Sequence, residues 1–78
     1  MQVRKYQKII EQALRIQFEI KYVDIPRLIK QKTGENIDKE FAIKITDQMD
    51  SVEKVKIGNV KNPNGIRQKG KTGPLFND

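Results

Sequence analysis

Cysteine, histidine and tryptophan are absent from this 78-residue chain, and Ser51 is its only serine. Without cysteine there is no disulfide and no thiolate metal site. Without histidine, zinc would have to rest on carboxylates alone, which is rare for structural sites. The same absences remove Ser-His, Cys-His and histidine-based acid–base schemes. Carboxylate pairs drawn from Asp24, Asp47 and Asp50 remain, but so short a chain seldom builds a water-excluding cleft around two of them. Binding is therefore expected rather than catalysis, with no metal and no cofactor.

Long apolar runs are missing too. None approaches the roughly 20 residues that span a bilayer, and none resembles the apolar stretch of a signal peptide. A cytoplasmic protein that makes no membrane contact is expected. A domain of this size buries only about 60% of the surface its unfolded chain exposes. Its stability must then come from packed aliphatic side chains, helped by a partner or a second copy of itself.

Charge is present in quantity and unevenly spread. Sixteen Lys and Arg against ten Asp and Glu leave a net charge of +6. Residues 1–34 are basic, 35–57 slightly acidic and 58–78 basic again. Such a layout implies separate surfaces, and the basic ones suit a polyanion.

The apolar pattern divides the chain into elements. Val3, Tyr6, Ile9, Ile10, Ala13, Leu14, Ile16 and Ile20 share one arc of a helical wheel, which predicts an amphipathic helix over about 3–21. From Arg15 to Tyr22 the residues also alternate strictly, which is the pattern of a strand. The longer helix is preferred because one arc holds from Val3 to Ile20. Asp24-Ile25-Pro26 reads as a helix start, with Asp24 as N-cap and proline in the first turn. Gly34 ends that second helix, about 25–33. Ile37, Phe41, Ile45 and Met49 recur every fourth residue, joined by Ala42 and Val52, and predict a third helix at about 38–50. Alternation at Phe41–Ile45 offers a strand there instead. A strand near 53–60, a turn at Asn62-Pro63-Asn64-Gly65 and a return strand at Ile66–Lys69 complete a hairpin. Leu75 and Phe76 are candidates to dock back onto the domain.

Three helices followed by a two-stranded basic hairpin resemble a winged helix-turn-helix domain. The segment Asp24–Gly34 looks like the first helix of a helix-turn-helix with its turn glycine, the helix holding Phe41, Ile45 and Met49 looks like the second, and Lys54 to Lys69 looks like the wing. The resemblance implies a mainly α fold with a small β-hairpin, a single domain over 1–70 and a flexible tail over 71–78. It also implies a third helix in the major groove, with the wing on the backbone or minor groove. The exposed positions of that third helix would be Lys39, Glu40, Lys44, Asp47, Gln48 and Asp50. Because 38–50 holds two lysines and four acids, and acids seldom add affinity for phosphate, backbone binding is expected over sequence reading.

The expected nucleic-acid contacts are Arg27, Lys30 and Lys32 of the second helix, Lys39 and Lys44 of the third, and Lys61, Arg67, Lys69 and Lys71 in or beyond the hairpin. Asn59, Asn62 and Asn64 are candidate neutral donors. The aromatic residues fall mostly at apolar positions and are assigned to the core rather than to base stacking. The expected function is a DNA-binding regulator or replication accessory factor, with DNA favoured over RNA. The alternative is a protein-binding module of the phage or mobile-element kind that inhibits or redirects a host protein. Phe18 and Tyr22 leave the main face of the first helix, and an apolar patch there suggests a homodimer through that helix.

Overall fold

The computed structural model describes residues 3–70. Helix α1 spans Val3–Ile16, strand β1 Glu19–Lys21, a 3-10 turn Tyr22–Asp24, helix α2 Ile25–Thr33, helix α3 Lys39–Asp47, strand β2 Val52–Val55 and strand β3 Gly65–Gln68. The three strands form one antiparallel sheet with β3 in the middle. Glu19, Ile20 and Lys21 face Arg67, Ile66 and Gly65, while Val52 to Val55 face Gln68 to Gly65. The fold is mainly α with a small sheet, as expected, but the sheet has three strands rather than two.

The third strand comes from the end of the predicted first helix. α1 stops at Ile16, and beyond it the alternation from Arg15 to Tyr22 takes over as β1. Ile20 is 4% exposed opposite Ile66, so it is buried as a strand residue and not as part of a helical stripe. Ile16, placed on the apolar arc by sequence, is 87% exposed: α1 ends there, and its last turn buries Ala13 and Leu14 instead. Helix and strand compete over 17–21, and pairing with β3 decides for the strand. The apolar patch expected from Phe18 and Tyr22 does not form. Tyr22 is buried in the core, and Phe18 is half-buried beneath the Arg67 guanidinium, 5.8 Å from its ring centre.

The other elements follow their local chemistry. Gly34 adopts φ +78°, and its N–H donates to the Lys30 carbonyl, which closes α2. Asp24 stands at the N-cap of α2, but its backbone is already helical as the last residue of the 3-10 turn. Its side chain consequently makes no capping bond. Asp38 does cap α3: its backbone is extended and its carboxylate accepts from the Phe41 N–H at 2.8 Å. The helix reading of 41–45 holds, although α3 ends at Asp47 rather than near 50.

Ile10, Leu14, Ile25, Ile29, Ile45 and Ile66 are fully buried between the helices and the sheet. Each contributes roughly 1.5–3 kcal/mol by leaving water. Among the described residues no helix is long and apolar enough to cross a membrane. The expectations for Lys71, Leu75, Phe76 and a tail over 71–78 lie outside the described residues.

Candidate nucleic-acid interface

The start of α3, the turn after β1 and the foot of the β2–β3 loop surround a shallow depression of about 190 Å³. Lys21, Tyr22 and Val23 form one wall, Lys39 and Ile43 another, and Pro63 and Asn64 the third. Each cation is placed by a local feature. The Asp38 cap makes Lys39 the first residue of α3. Lys21 ends β1, where the period-two pattern turns it away from the core and leaves it exposed. Residues 58–63 of the loop are all exposed and carry Lys61, Asn59 and Asn62.

Of the nine basic residues expected at the site, the eight that fall within the described residues do not form one surface. Lys39 lies on the depression, Lys61 on the loop beside it, and Lys44 is exposed on α3 five residues after Lys39. On α2, Arg27 and Lys30 share an outward strip. Lys32 is rotated by about 200° from Lys30, since each residue turns a helix by about 100°, and it looks toward the other flank. Lys69 follows the end of β3 remote from the loop, where its N–H donates to the Ser51 carbonyl at 2.8 Å. Four strand residues separate it from the loop, a distance of about 13 Å.

Arg67 is engaged elsewhere. Its Nε donates to Glu53 at 2.8 Å, directly across the β2–β3 ladder, and its guanidinium covers Phe18. It acts as a tie between β3, β2 and the segment before β1. Asn64 is likewise spent, because its side-chain amide bonds to the backbone of Ile57.

The acids of α3 are partly accounted for within the domain. Asp38 caps the helix, and Asp47 pairs with Lys54 of β2 at 3.4 Å. Glu40 and Asp50 remain exposed without an ion pair to a described residue. With Asp38 and Asp47 discounted, the first turn of α3 presents Lys39 and Glu40, and Lys44 lies one turn after Glu40. Lys21, absent from the sequence-based set, was legible only in the strand reading of 15–22. In the helix reading it fell at the end of the element, with no neighbour to associate it with Lys39. Comparison with protein-family models, with curated proteins and with solved structures gave no match.

Proposed function

We propose that the chain is a winged-helix-type domain that binds nucleic acid, duplex DNA before RNA, chiefly through the phosphate backbone. A role as a small DNA-binding regulator or replication accessory factor agrees with that reading, with binding and not catalysis as its activity. The order α1-β1-α2-α3-β2-β3, with β3 central, supports the fold assignment. The observation that carries the function is the depression between α3 and the hairpin loop, with Lys21 and Lys39 on its walls and Lys61 on the adjoining loop. Two lysines from separate elements and an exposed, asparagine-bearing loop suit adjacent phosphates of one backbone. Arg27 and Lys30 form a separate exposed basic strip on α2.

Duplex is favoured over single strand because the described aromatics are occupied. Tyr6 and Tyr22 are buried, Phe41 packs edge-on against Tyr6, and Phe18 lies beneath Arg67. None offers an open face for base stacking. Fluorescence anisotropy with a labelled duplex at about 50 mM salt tests the proposal, because counterion release makes affinity fall steeply as salt rises. No duplex binding at that salt would refute it.

A second reading, a module that inhibits or redirects a host protein, is favoured by the apolar part of the same depression. Val23 is 58% exposed there, beside Ile43 and Pro63. Stoichiometric capture of one protein after nuclease treatment, together with no affinity for duplex, would replace the first reading with this one.

A further inference from the structure

We infer that Asn64 is the positioning residue of the proposed interface: its side-chain amide replaces a missing rung of the sheet and thereby fixes the loop that carries Lys61. The inference rests on the nucleic-acid reading for its consequence, but not for its geometry.

The β2–β3 ladder ends at the pair Val55 and Gly65. Continued by two residues, that register would set Ile57 opposite Pro63. Proline has no N–H to donate, so a backbone rung there would leave the Ile57 carbonyl without a donor. Asn64 satisfies it from the side chain. The Ile57 N–H donates to Asn64 Oδ1 at 2.7 Å, and Asn64 Nδ2 donates to the Ile57 carbonyl at 3.1 Å. This pair of bonds mimics the two-way exchange of an antiparallel rung.

The backbone of Asn64 is occupied as well. Its N–H donates to the Val55 carbonyl at 3.1 Å, and its carbonyl accepts from the Tyr22 N–H at 2.9 Å. One residue thus joins the end of β2, the start of the hairpin loop and the turn after β1. Asparagine meets this need because its amide offers a donor and an acceptor on a short stem. Aspartate lacks the donor, and glutamine is one methylene too long for the same pair.

The consequence lies in what the joint encloses. Residues 58–63 form a six-residue loop whose two ends are held together by Ile57 and Asn64, with Gly58 at φ +84° starting the reversal. Asn64 and Pro63 also line the depression that holds Lys21 and Lys39. The joint therefore sets where Lys61 stands relative to the other two cations. A loop held in its bound position loses less freedom on association, which raises affinity without a new contact.

The test uses the full chain in two parts. Amide exchange by NMR reads the joint directly. Asn64→Ala is expected to speed exchange at Ile57 about 10-fold, since a typical hydrogen bond of about 1 kcal/mol is worth a factor of 5–10. Asn64→Gln, which keeps the polar groups and is the gentler change, should do the same more weakly. Unchanged exchange at Ile57 in both variants overturns the inference.

Duplex anisotropy then reads the consequence. Lys61→Ala should weaken binding several-fold in the parent and have less effect beside Asn64→Gln, because coupled residues are not additive. Full additivity of the two changes overturns the positioning role. If the parent binds no duplex at all, the nucleic-acid reading fails while the joint is still judged by exchange at Ile57.

Discussion

The Tyr6 hydroxyl donates a hydrogen bond to the Glu35 carboxylate, and that contact ties the α2–α3 connection to α1. Lys5 reaches the second carboxylate oxygen at 3.2 Å. The Glu35 N–H donates to the Thr33 hydroxyl, which in turn donates to the Ile29 carbonyl. The Tyr6 ring meets Phe41 of α3 edge-on at 6.2 Å. One corner thus fixes α1 against both helices of the candidate interface.

This corner gives stability an acid-side pH dependence. The Tyr6 hydroxyl first, and Lys5 after it, hold the Glu35 carboxyl below the ordinary glutamate range. A group whose pKa is lowered by folding stabilises the native state above its unfolded value of about 4.3 and loses that effect as pH falls through the folded value. Glu35→Gln should therefore melt below the parent at pH 7, with the gap shrinking as pH falls below the unfolded value. Thermal melts of both proteins on either side of that value check it. A gap independent of pH would show that the contact is not ionic in character.

The Tyr22 hydroxyl is the opposite case. It is buried with no hydrogen-bond partner at bonding distance among the described residues, with Thr46 the candidate partner nearby, and burial is the main cause pushing its pKa up. A buried polar group left unpaired costs about 1–3 kcal/mol. Tyr22→Phe removes the oxygen and keeps the ring that packs in the core. It should raise the melting temperature, by roughly 4–8 °C per kcal/mol for a domain of this size. A lower melting temperature would mean that the hydroxyl is bonded in solution.

How far the fold was legible depended on the range of the interactions. Gly34 acts on its own helix, and the sequence signal for it matches its role in the structure. The end of α1 could not be settled the same way. Residues 17–21 satisfy both periodicities, and the choice falls to a strand more than 40 residues later in the chain. Arg67 illustrates the same limit at the site. Its exposed strand position suggested a phosphate contact, whereas Glu53 faces it only once the hairpin register is set. Lys39 and Lys61 were nominated from sequence, but Lys21 joins Lys39 only after β1 has formed.

That division of the cations predicts two kinds of variant. Lys39→Ala should leave the melting temperature nearly unchanged, because Lys39 is exposed at the first position of α3. In the proposed function it should weaken duplex binding several-fold and lower the salt slope by about 0.9, the value for one phosphate contact. Arg67→Ala should do the reverse. It removes a partly exposed ion pair and a cation–π contact, each worth up to about 1 kcal/mol, while affinity per folded molecule changes little. Anisotropy at several salt concentrations beside thermal melts separates the two. Equal loss of affinity in both variants would return Arg67 to the interface.

Gly65 is the position where one methyl group should be least tolerated. It pairs with Lys21 on one side and Val55 on the other, at the start of the central strand and next to Asn64. A Cβ there would lie 2.5 Å from the Ile20 carbonyl oxygen and 3.0 Å from the Lys21 Cα, and it would overlap the Ile57 Cδ1 atom. Ile57 has a side chain that can move, but the Ile20 carbonyl is backbone within β1. Relief requires β1 to separate from β3, which carries Ile20 out of the core and Lys21 away from Lys39. Overpacking of this kind costs about 3 kcal/mol or more, a large share of the 5–15 kcal/mol that holds a typical domain together. Gly65→Ala should therefore lower the melting temperature by more than 10 °C, at about 4–8 °C per kcal/mol. Gly70→Ala shows backbone strain without a clash: a Cβ there meets nothing within 4 Å, but φ is +86°, so the change should cost about 1–2 kcal/mol. Circular dichroism melts that place Gly65→Ala within a few degrees of the parent would mean that β1 pairs with β3 more loosely than the register requires.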